Sequence, residues 1–284
     1  MRVSIITITY NAAPFLERTI KSIIGQTSRD FEYLVIDGGS KDGTLKIIEQ
    51  YRKHIDYLVS EPDKGLYDAM NKGLQAATGD YVWFMNAGDE IYDARVLEKV
   101  VAEARKGADV IWGETLFVKE GGEPAGLRSK VTPHKLPKQL TWKSLEMGMV
   151  VCHQSFIVRK VIAPLYDLSH PLSADVDWEI RCLKRARQTA RVEGIVAKYL
   201  MGGLSVKHHR KSLQDRYAVM QKHYGTLPNL WNHFRIALRG SLCGVTLLRN
   251  PAGSPPSFTN SVSPQITSAP LRASATTFSS TRAS

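Results

Sequence analysis

The chain has 284 residues, 43% of them apolar, enough for one sizeable α/β domain with extensions or two small domains. No stretch approaches about 18 consecutive apolar residues, so no membrane-spanning helix is expected, and Cys152, Cys182 and Cys243 read as free thiols in a reducing cytosol rather than a disulfide framework. The net charge of +11 is uneven: residues 1–200 hold 28 Lys/Arg against 26 Asp/Glu, residues 201–250 hold eight against Asp215 alone, and residues 251–284 add Arg272 and Arg282.

In chain order, the opening run Met1–Thr7 is too briefly apolar for a signal peptide. "VSIITITY" (3–10) reads as a strand buried on both faces. Pro14 then opens a helix with Phe15, Leu16, Thr19, Ile20, Ile23 and Ile24 on one face. "FEYLVIDGGS" (31–40) is a second strand running into glycines, and Asp42-Gly43-Thr44 opens a second helix. "IDYLVSEP" (55–62) is a third strand, "GLYDAMNKGLQAAT" (65–78) a helix, "YVWFM" (81–85) a fourth strand, "ARVLEKVVAEARK" (94–106) a helix and "ADVIWGE" (108–114) a fifth strand. This alternation predicts a mostly parallel sheet with helices on both faces.

Residues 116–150 read as irregular, broken by Gly121-Gly122, Pro124, Pro133 and Pro137. "SFIVRKVIAP" is a short apolar segment after Cys152-His153-Gln154, and "LSADVDWEIRCLKRA" (172–186) is an acidic turn entering a helix. Residues 208–224 look helical and basic; from 231 to 249, Trp231, Phe234, Leu238, Leu242 and Val245 recur at helical spacing. Residues 251–284 are dominated by Ser, Thr, Ala and Pro, the composition of a disordered tail.

Ligands of such sheets gather beyond the carboxyl ends of the parallel strands. The polar groups there are Thr9-Tyr10-Asn11, Asp37-Gly38-Gly39-Ser40, Glu61-Pro62-Asp63-Lys64 and Asn86 to Glu90. Asp37 suits the acceptance of hydrogen bonds from a nucleobase or ribose, or the capping of its own turn. Asp89, with Asn86 as a weaker oxygen partner, suits a hard divalent cation on a diphosphate; Asp93 fits the capping of the following helix better, and Glu90 reads as a bystander. Asp175 and Asp177 each suit general-base work or helix capping, and spacing does not choose between them. His153 and Gln154 suit an acceptor sugar or a phosphate, and His208 a diphosphate or an exposed basic loop. Trp83 and Trp178 read as core residues.

"VSIITITYNAAPFLERTIKSIIGQT", "FEYLVIDGGSKDGT", "EPDKGLYDAMNKGLQAATGDYVWFMNAGD" and "HQSFIVRK" together resemble an inverting glycosyltransferase of family 2, of the bacterial exopolysaccharide, capsule or O-antigen type, over about residues 1–210. The resemblance implies an α/β, glycosyltransferase A-type Rossmann-like fold, a UDP- or GDP-sugar donor and Mg²⁺ or Mn²⁺. Residues 1–115 would form the nucleotide-sugar half, 116–210 the acceptor half and 211–250 a basic helical extension. Carried over by position, Thr9, Tyr10 and Asn11 would line the nucleoside pocket, Asp37 would contact the base, and Ser40, Asp63 and Lys64 would surround the nucleotide. The family's acidic metal motif falls on Asn86–Asp89, where Asn86 and Gly88 replace two acids and Asp89 alone remains. The catalytic base matches Asp175 best, with Asp177 the alternative.

The implied acceptor is a glycan or lipid-linked sugar at the cytoplasmic face of the membrane. The 231–249 segment, with Arg235 and Arg239 beside its apolar stripe, would either lie on that membrane or pack on the catalytic domain. Three rival readings exist. A sugar nucleotidyltransferase needs a Gly- and Arg/Lys-rich loop after the first strand, where this chain has Tyr10-Asn11-Ala12-Ala13. A nucleic-acid-binding module rests on residues 207–239 alone and leaves the polar strand ends unused. A sugar-nucleotide binder without turnover is suggested by the depleted metal motif.

Overall fold

The computed structural model describes residues 1–202, 209–232 and 234–235. The expectations placed on His208 and on 236–284 lie outside them. The strands are β1 (Val3–Thr9), β2 (Phe31–Asp37), β3 (Tyr57–Ser60), β4 (Tyr81–Phe84), β5 (Glu90–Ile91), β6 (Val110–Val118), β7 (Pro124–Leu127), β8 (Phe156–Arg159) and β9 (Thr189–Leu200). The helices are α1 (Ala13–Ile24), α2 (Thr44–Gln50), α3 (Leu66–Ala76), α4 (Val96–Arg105), the single turn α5 (Arg128–Val131), α6 (Ala174–Arg185) and α7 (His209–Tyr224). Residues 226–232 are also helical.

The strands form one sheet in the order β3-β2-β1-β4-β8-β6-β9-β5, with β7 paired to β6. β1, β2, β3 and β4 run parallel, in register from Val3 opposite Phe31 to Thr9 opposite Asp37. β8 then joins β4 and β6 antiparallel, whereas β6 and β9 are parallel. The parallel character expected of the sheet therefore holds in the 3-2-1-4 half, and the other half is mixed.

The apolar runs are continuous because both faces are covered. Ile6, Ile8, Leu34, Ile36, Val82 and Phe84 meet α3 and α6, while Val3, Ile5, Tyr33, Val35, Tyr81 and Trp83 meet α1 and α4. Trp83 and Trp178 are both fully buried, in opposite layers. α1 begins beside Pro14 and buries Leu16, Thr19, Ile20 and Ile23; Phe15 lies only half-buried, because it faces the cleft described below.

Residues 116–150, expected to be irregular, instead carry the end of β6, all of β7 and α5. β9 is the larger omission from the pattern reading. Its "TARVEGIVAKYL" includes Arg191, Glu193 and Lys198, which disguise a strand whose Val192, Val196 and Ala197 are buried. Gly113 on β6 lets β9 approach, since a Cβ there would stand 2.4 Å from Val196 Cγ2. Among the described residues no helix is long and apolar enough to cross a membrane.

Candidate active site

The strand ends converge on one cleft of about 990 Å³. Thr9, Tyr10 and Asn11 enter it after β1, Gly38 after β2, Asp63 after β3, and Asn86, Ala87 and Asp89 after β4. His153, Gln154, Asp175 and Tyr67 line its inner wall, and Tyr199 to Gly202, at the end of β9, close another side.

The β1 end is shaped for a ligand. Asn11 takes a left-handed backbone, φ +46°, held by Ser40 Oγ accepting from its N–H at 2.8 Å and by its own Oδ1 accepting from Lys41 N–H at 2.9 Å. Tyr10 is thereby swung out to 64% exposure at the cleft mouth. Thr9 Oγ1 is buried without a hydrogen-bond partner, although buried hydroxyls are nearly always satisfied.

Asp37 and Ser40 are placed differently from the expectation. Asp37 is fully buried, and its carboxylate accepts from Gly39 N–H, Ser40 N–H, Ser40 Oγ and Ser60 Oγ at 2.5–3.1 Å. Neither residue lines the cleft. Asp37 is spent on folding its own loop, where Gly39 has φ +79°, and it is Gly38 that presents backbone to the cleft. Lys64 is also displaced: its side chain is exposed outside the cleft, while its N–H donates to Asp68 Oδ2. The cation beside Asp63 is Lys72, whose Nζ reaches Asp63 Oδ1 at 2.5 Å and Glu61 Oε1 at 2.8 Å.

After β4 the chain turns at Gly88, whose φ is +106° and whose N–H donates to Thr19 Oγ1 at 2.9 Å. The turn buries Asp89, whose Oδ2 accepts from Gln154 Nε2 at 2.7 Å and whose Oδ1 accepts from Leu200 N–H at 2.9 Å. Burial pushes this carboxyl up to about 7 against those two donors. Asp89 thus has a structural duty that the sequence did not show, tying β9 to the β4 turn. Asn86 Oδ1, in the same turn, is buried with no partner. An orphaned amide oxygen and a desolvated carboxylate, each with lone pairs to spare, fit a hard divalent cation. Asp93 accepts from Arg95 N–H but does not cap α4 as expected, because the N-cap position falls on Arg95 and no side chain caps the helix; Glu90 pairs with Lys198.

The two acids of "SADVDWEI" lie inside the first turn of α6, not before it, and the helix separates them. Asp175 lines the cleft, half-buried, its Oδ1 accepting from Tyr67 OH at 3.1 Å and from Val176 N–H at 2.9 Å. Burial raises its pKa, opposed by the Val176 N–H, Arg216 and Tyr67. Asp177 is absent from the cleft lining and fully buried, with Arg181 Nε at 2.6 Å, His223 Nε2 at 2.8 Å and Lys222 Nζ at 3.1 Å. It joins α6 to α7, and the alternative base is therefore turned away from any substrate. Asp167 and His170 lie near Asp177, but Lys222 also pairs with Asp167 and Asp215 with His170, so this cluster is an ion-pair network.

His153 is buried in an aromatic box with Phe84 and Trp178, and its Nε2 shares a 2.8 Å hydrogen bond with Tyr166 OH. Burial lowers its pKa to about 4, so the imidazole is neutral near neutral pH. Tyr166 stacks between Trp178 at 4.8 Å and Tyr67 at 5.7 Å, making a rigid wall behind Asp175. One turn further along α6, Glu179 is buried with neither oxygen partnered, and burial together with the Asp175 charge raises it well above the usual carboxylate range. The pattern reading missed Tyr67, Tyr166, Glu179 and the β9 end. The one available signal was the polar-tipped Tyr67 two residues after the "EPDKG" strand end.

Comparison with known proteins places the fold and the family. The family model described as "Glycosyl transferase family 2" matches residues 4–163. A "PGL/p-HBAD biosynthesis glycosyltransferase" of Mycobacterium tuberculosis is 33% identical over 213 residues, covering 71% of this chain and 78% of the relative. The "GalNAc(5)-diNAcBac-PP-undecaprenol beta-1,3-glucosyltransferase" of Campylobacter jejuni is 29% identical over 163 residues, 56% of this chain and 48% of that protein. Among solved structures, S. aureus TarS 1-349 superposes with a TM-score of 0.60 at 18% identity, over 78% of this chain and 64% of that one. A Pyrobaculum calidifontis mannosyltransferase in complex with GDP-Man and Mn2+ superposes with a TM-score of 0.56 at 15% identity, over 88% of this chain and 76% of that one. The fold is the glycosyltransferase A type, and the chain belongs to glycosyl transferase family 2.

Proposed function

We propose that this chain transfers a sugar from a nucleoside-diphosphate-sugar donor to a lipid-linked or glycan acceptor with inversion at the anomeric carbon, in cell-surface glycolipid or polysaccharide synthesis. The observation that carries this reading is the cleft that Asp175, braced by Tyr67, lines together with the Asn86–Asp89 turn and the Thr9–Asn11 strand end. Thr9 to Asn11 and Gly38 hold the nucleoside, with Asp37 and Ser40 shaping the loop, and Asp63 lies at the same side.

Asp89 and Asn86 would hold the divalent cation. When bound, it supplies positive charge against the leaving diphosphate. Asp175 takes the proton of the acceptor hydroxyl, whose oxygen attacks C1 from the face opposite the leaving group. Burial raises its pKa, which makes the carboxylate a stronger base. Tyr67 OH holds the carboxylate toward the cleft. Tyr166 and Trp178 pack behind His153 as a buried aromatic layer that holds this side of the cleft in place, while Gln154 orients Asp89.

The donor class is supported by S. aureus TarS structures in complex with UDP and with UDP-GlcNAc, and by the GDP-Man and Mn2+ complex of the Pyrobaculum enzyme. The acceptor class is supported by the undecaprenol-linked acceptor in the name of the Campylobacter relative. Incubation with a panel of UDP- and GDP-sugars and undecaprenyl-diphosphate-linked sugars, read by mass spectrometry and NMR of the new linkage, tests it. One inverted glycosidic product, absent with Asp175→Asn, is expected. Retention of configuration, or donor binding without transfer across the panel, would overturn the reading.

A further inference from the structure

The helical residues 226–232, continued at 234–235, are built inside out for a soluble domain. Leu227, Leu230, Trp231 and Phe234 follow the i, i+3, i+4, i+7 spacing of one helix face, and they are 79%, 51%, 61% and 54% exposed. The face turned inward is polar: Asn229 and Asn232 are 1% and 5% exposed. Asn229 Nδ2 donates to the Tyr217 carbonyl at 3.2 Å, and Asn232 Nδ2 donates to the Glu146 carbonyl at 3.3 Å. The Trp231 and Phe234 rings stack at 5.8 Å, forming one continuous apolar surface.

We propose that this face docks on an anionic membrane surface. Its described neighbours are cationic: Arg235 is exposed beside Phe234, and the sequence of 201–250 carries eight Lys/Arg against Asp215 alone. Tyr224, just before the helical stretch, stacks on Trp142, whose ring carries the ammonium groups of Lys143 at 5.8 Å and Lys184 at 4.9 Å. Exposed aromatic and leucine side chains with Lys and Arg close by are the composition of an interfacial helix. A second copy of the chain fits poorly, because a two-fold contact would set the same cations against each other. Residues 251–284 of this chain, mostly Ser, Thr, Ala and Pro, offer few large apolar side chains to cover the face.

The patch is tied to the candidate base. Lys222 and His223 of α7 pair with Asp177 on α6, and Lys184 Nζ lies 3.1 Å from His223 Nδ1. Lys184 follows Asp175 on α6 by nine positions, about 14 Å along the helix axis. Docking there would serve the lipid-linked acceptor proposed above, and membrane binding can be measured apart from transfer.

The test is flotation of the full chain with vesicles of equimolar phosphatidylglycerol and phosphatidylcholine, against phosphatidylcholine alone. The parent should float with the anionic vesicles, and a Trp231→Glu/Phe234→Glu variant should do so about tenfold less. Its thermal unfolding and its transfer to a water-soluble acceptor should be unchanged, because both side chains are exposed and neither lines the cleft. Equal flotation of variant and parent, or no flotation of the parent, would overturn docking. So would a concentration-dependent dimer that the variant abolishes. A parent that floats but transfers to no acceptor would remove the acceptor reading and leave the docking surface standing.

Discussion

The division of labour between Asp175 and Asp177 can be tested by neutralising each in turn. Asp177 is fully buried among Arg181, Lys222 and His223, which together overcome its burial and hold its carboxyl at about 2, below the ordinary 3.8. Each pH unit of that displacement is worth about 1.4 kcal/mol, so the ionised form contributes about 2–3 kcal/mol. A depressed carboxyl stabilises above its unfolded pKa, and the contribution is lost as pH falls from 3.8 through about 2. For a domain of this size Asp177→Asn should therefore lower Tm by roughly 5–10 °C at neutral pH, and the gap to the parent should narrow below pH 3.8. The folded variant should keep most of its turnover, because Asp177 does not reach the cleft.

Asp175→Asn should behave in the opposite way. Burial raises the Asp175 carboxyl, so removing its charge costs no stability, yet loss of the base should cut turnover by about two orders of magnitude. Calorimetry at neutral and acidic pH and product assays on the same preparations check both. Asp177→Asn with an unchanged Tm and no turnover would refute the reasoning and move the base to Asp177.

Tyr67→Phe removes the hydroxyl that donates to Asp175, so the acid limb of the kcat/KM–pH profile should move up by about one pH unit. Mn²⁺ should raise the Tm of the parent in a thermal-shift titration and should do so far less in Asp89→Asn, which tests the cation site without an activity readout. His153, neutral in its aromatic box with a pKa of about 4 against an ordinary 6.5, contributes a loss of about 3 kcal/mol to the slope of urea-unfolding stability as pH falls between those values, opposed over the same range by Asp89, whose carboxyl is raised to about 7. His153→Gln should remove that contribution. Gly73→Ala places a Cβ 2.5 Å from Ile6 Cγ2 and 3.3 Å from Ile36 Cγ1, both buried in the sheet. The overpacking should outweigh the gain in helix propensity and cost about 1–2 kcal/mol in thermal unfolding.

The chain alone determined the layered half of the molecule. β-branched runs such as "VSIITIT" and helix faces such as Leu16, Ile20 and Ile23 report their burial through a local period, so β1 to β4 and α1, α3 and α4 were legible. The convergence of polar strand ends followed from the parallel order, and the cleft is where it places Thr9, Asn11, Asp63 and Asn86 to Asp89. β9 was not legible, because its charged residues face outward and its partners lie more than 70 residues away in β6.

Only tertiary structure decided which candidate acids are free to act. Asp37 and Asp177 have the same chemistry in the sequence as Asp89 and Asp175. In the fold Asp37 is consumed by four donors of its own neighbourhood and Asp177 by Arg181, Lys222 and the His223 ring, the last two on α7. Asp175 keeps an open side because Tyr67, 108 positions earlier, bonds it from the other. A carboxylate's availability depends on which donors and how much solvent reach it, and those are set by contacts between segments that no local pattern encodes.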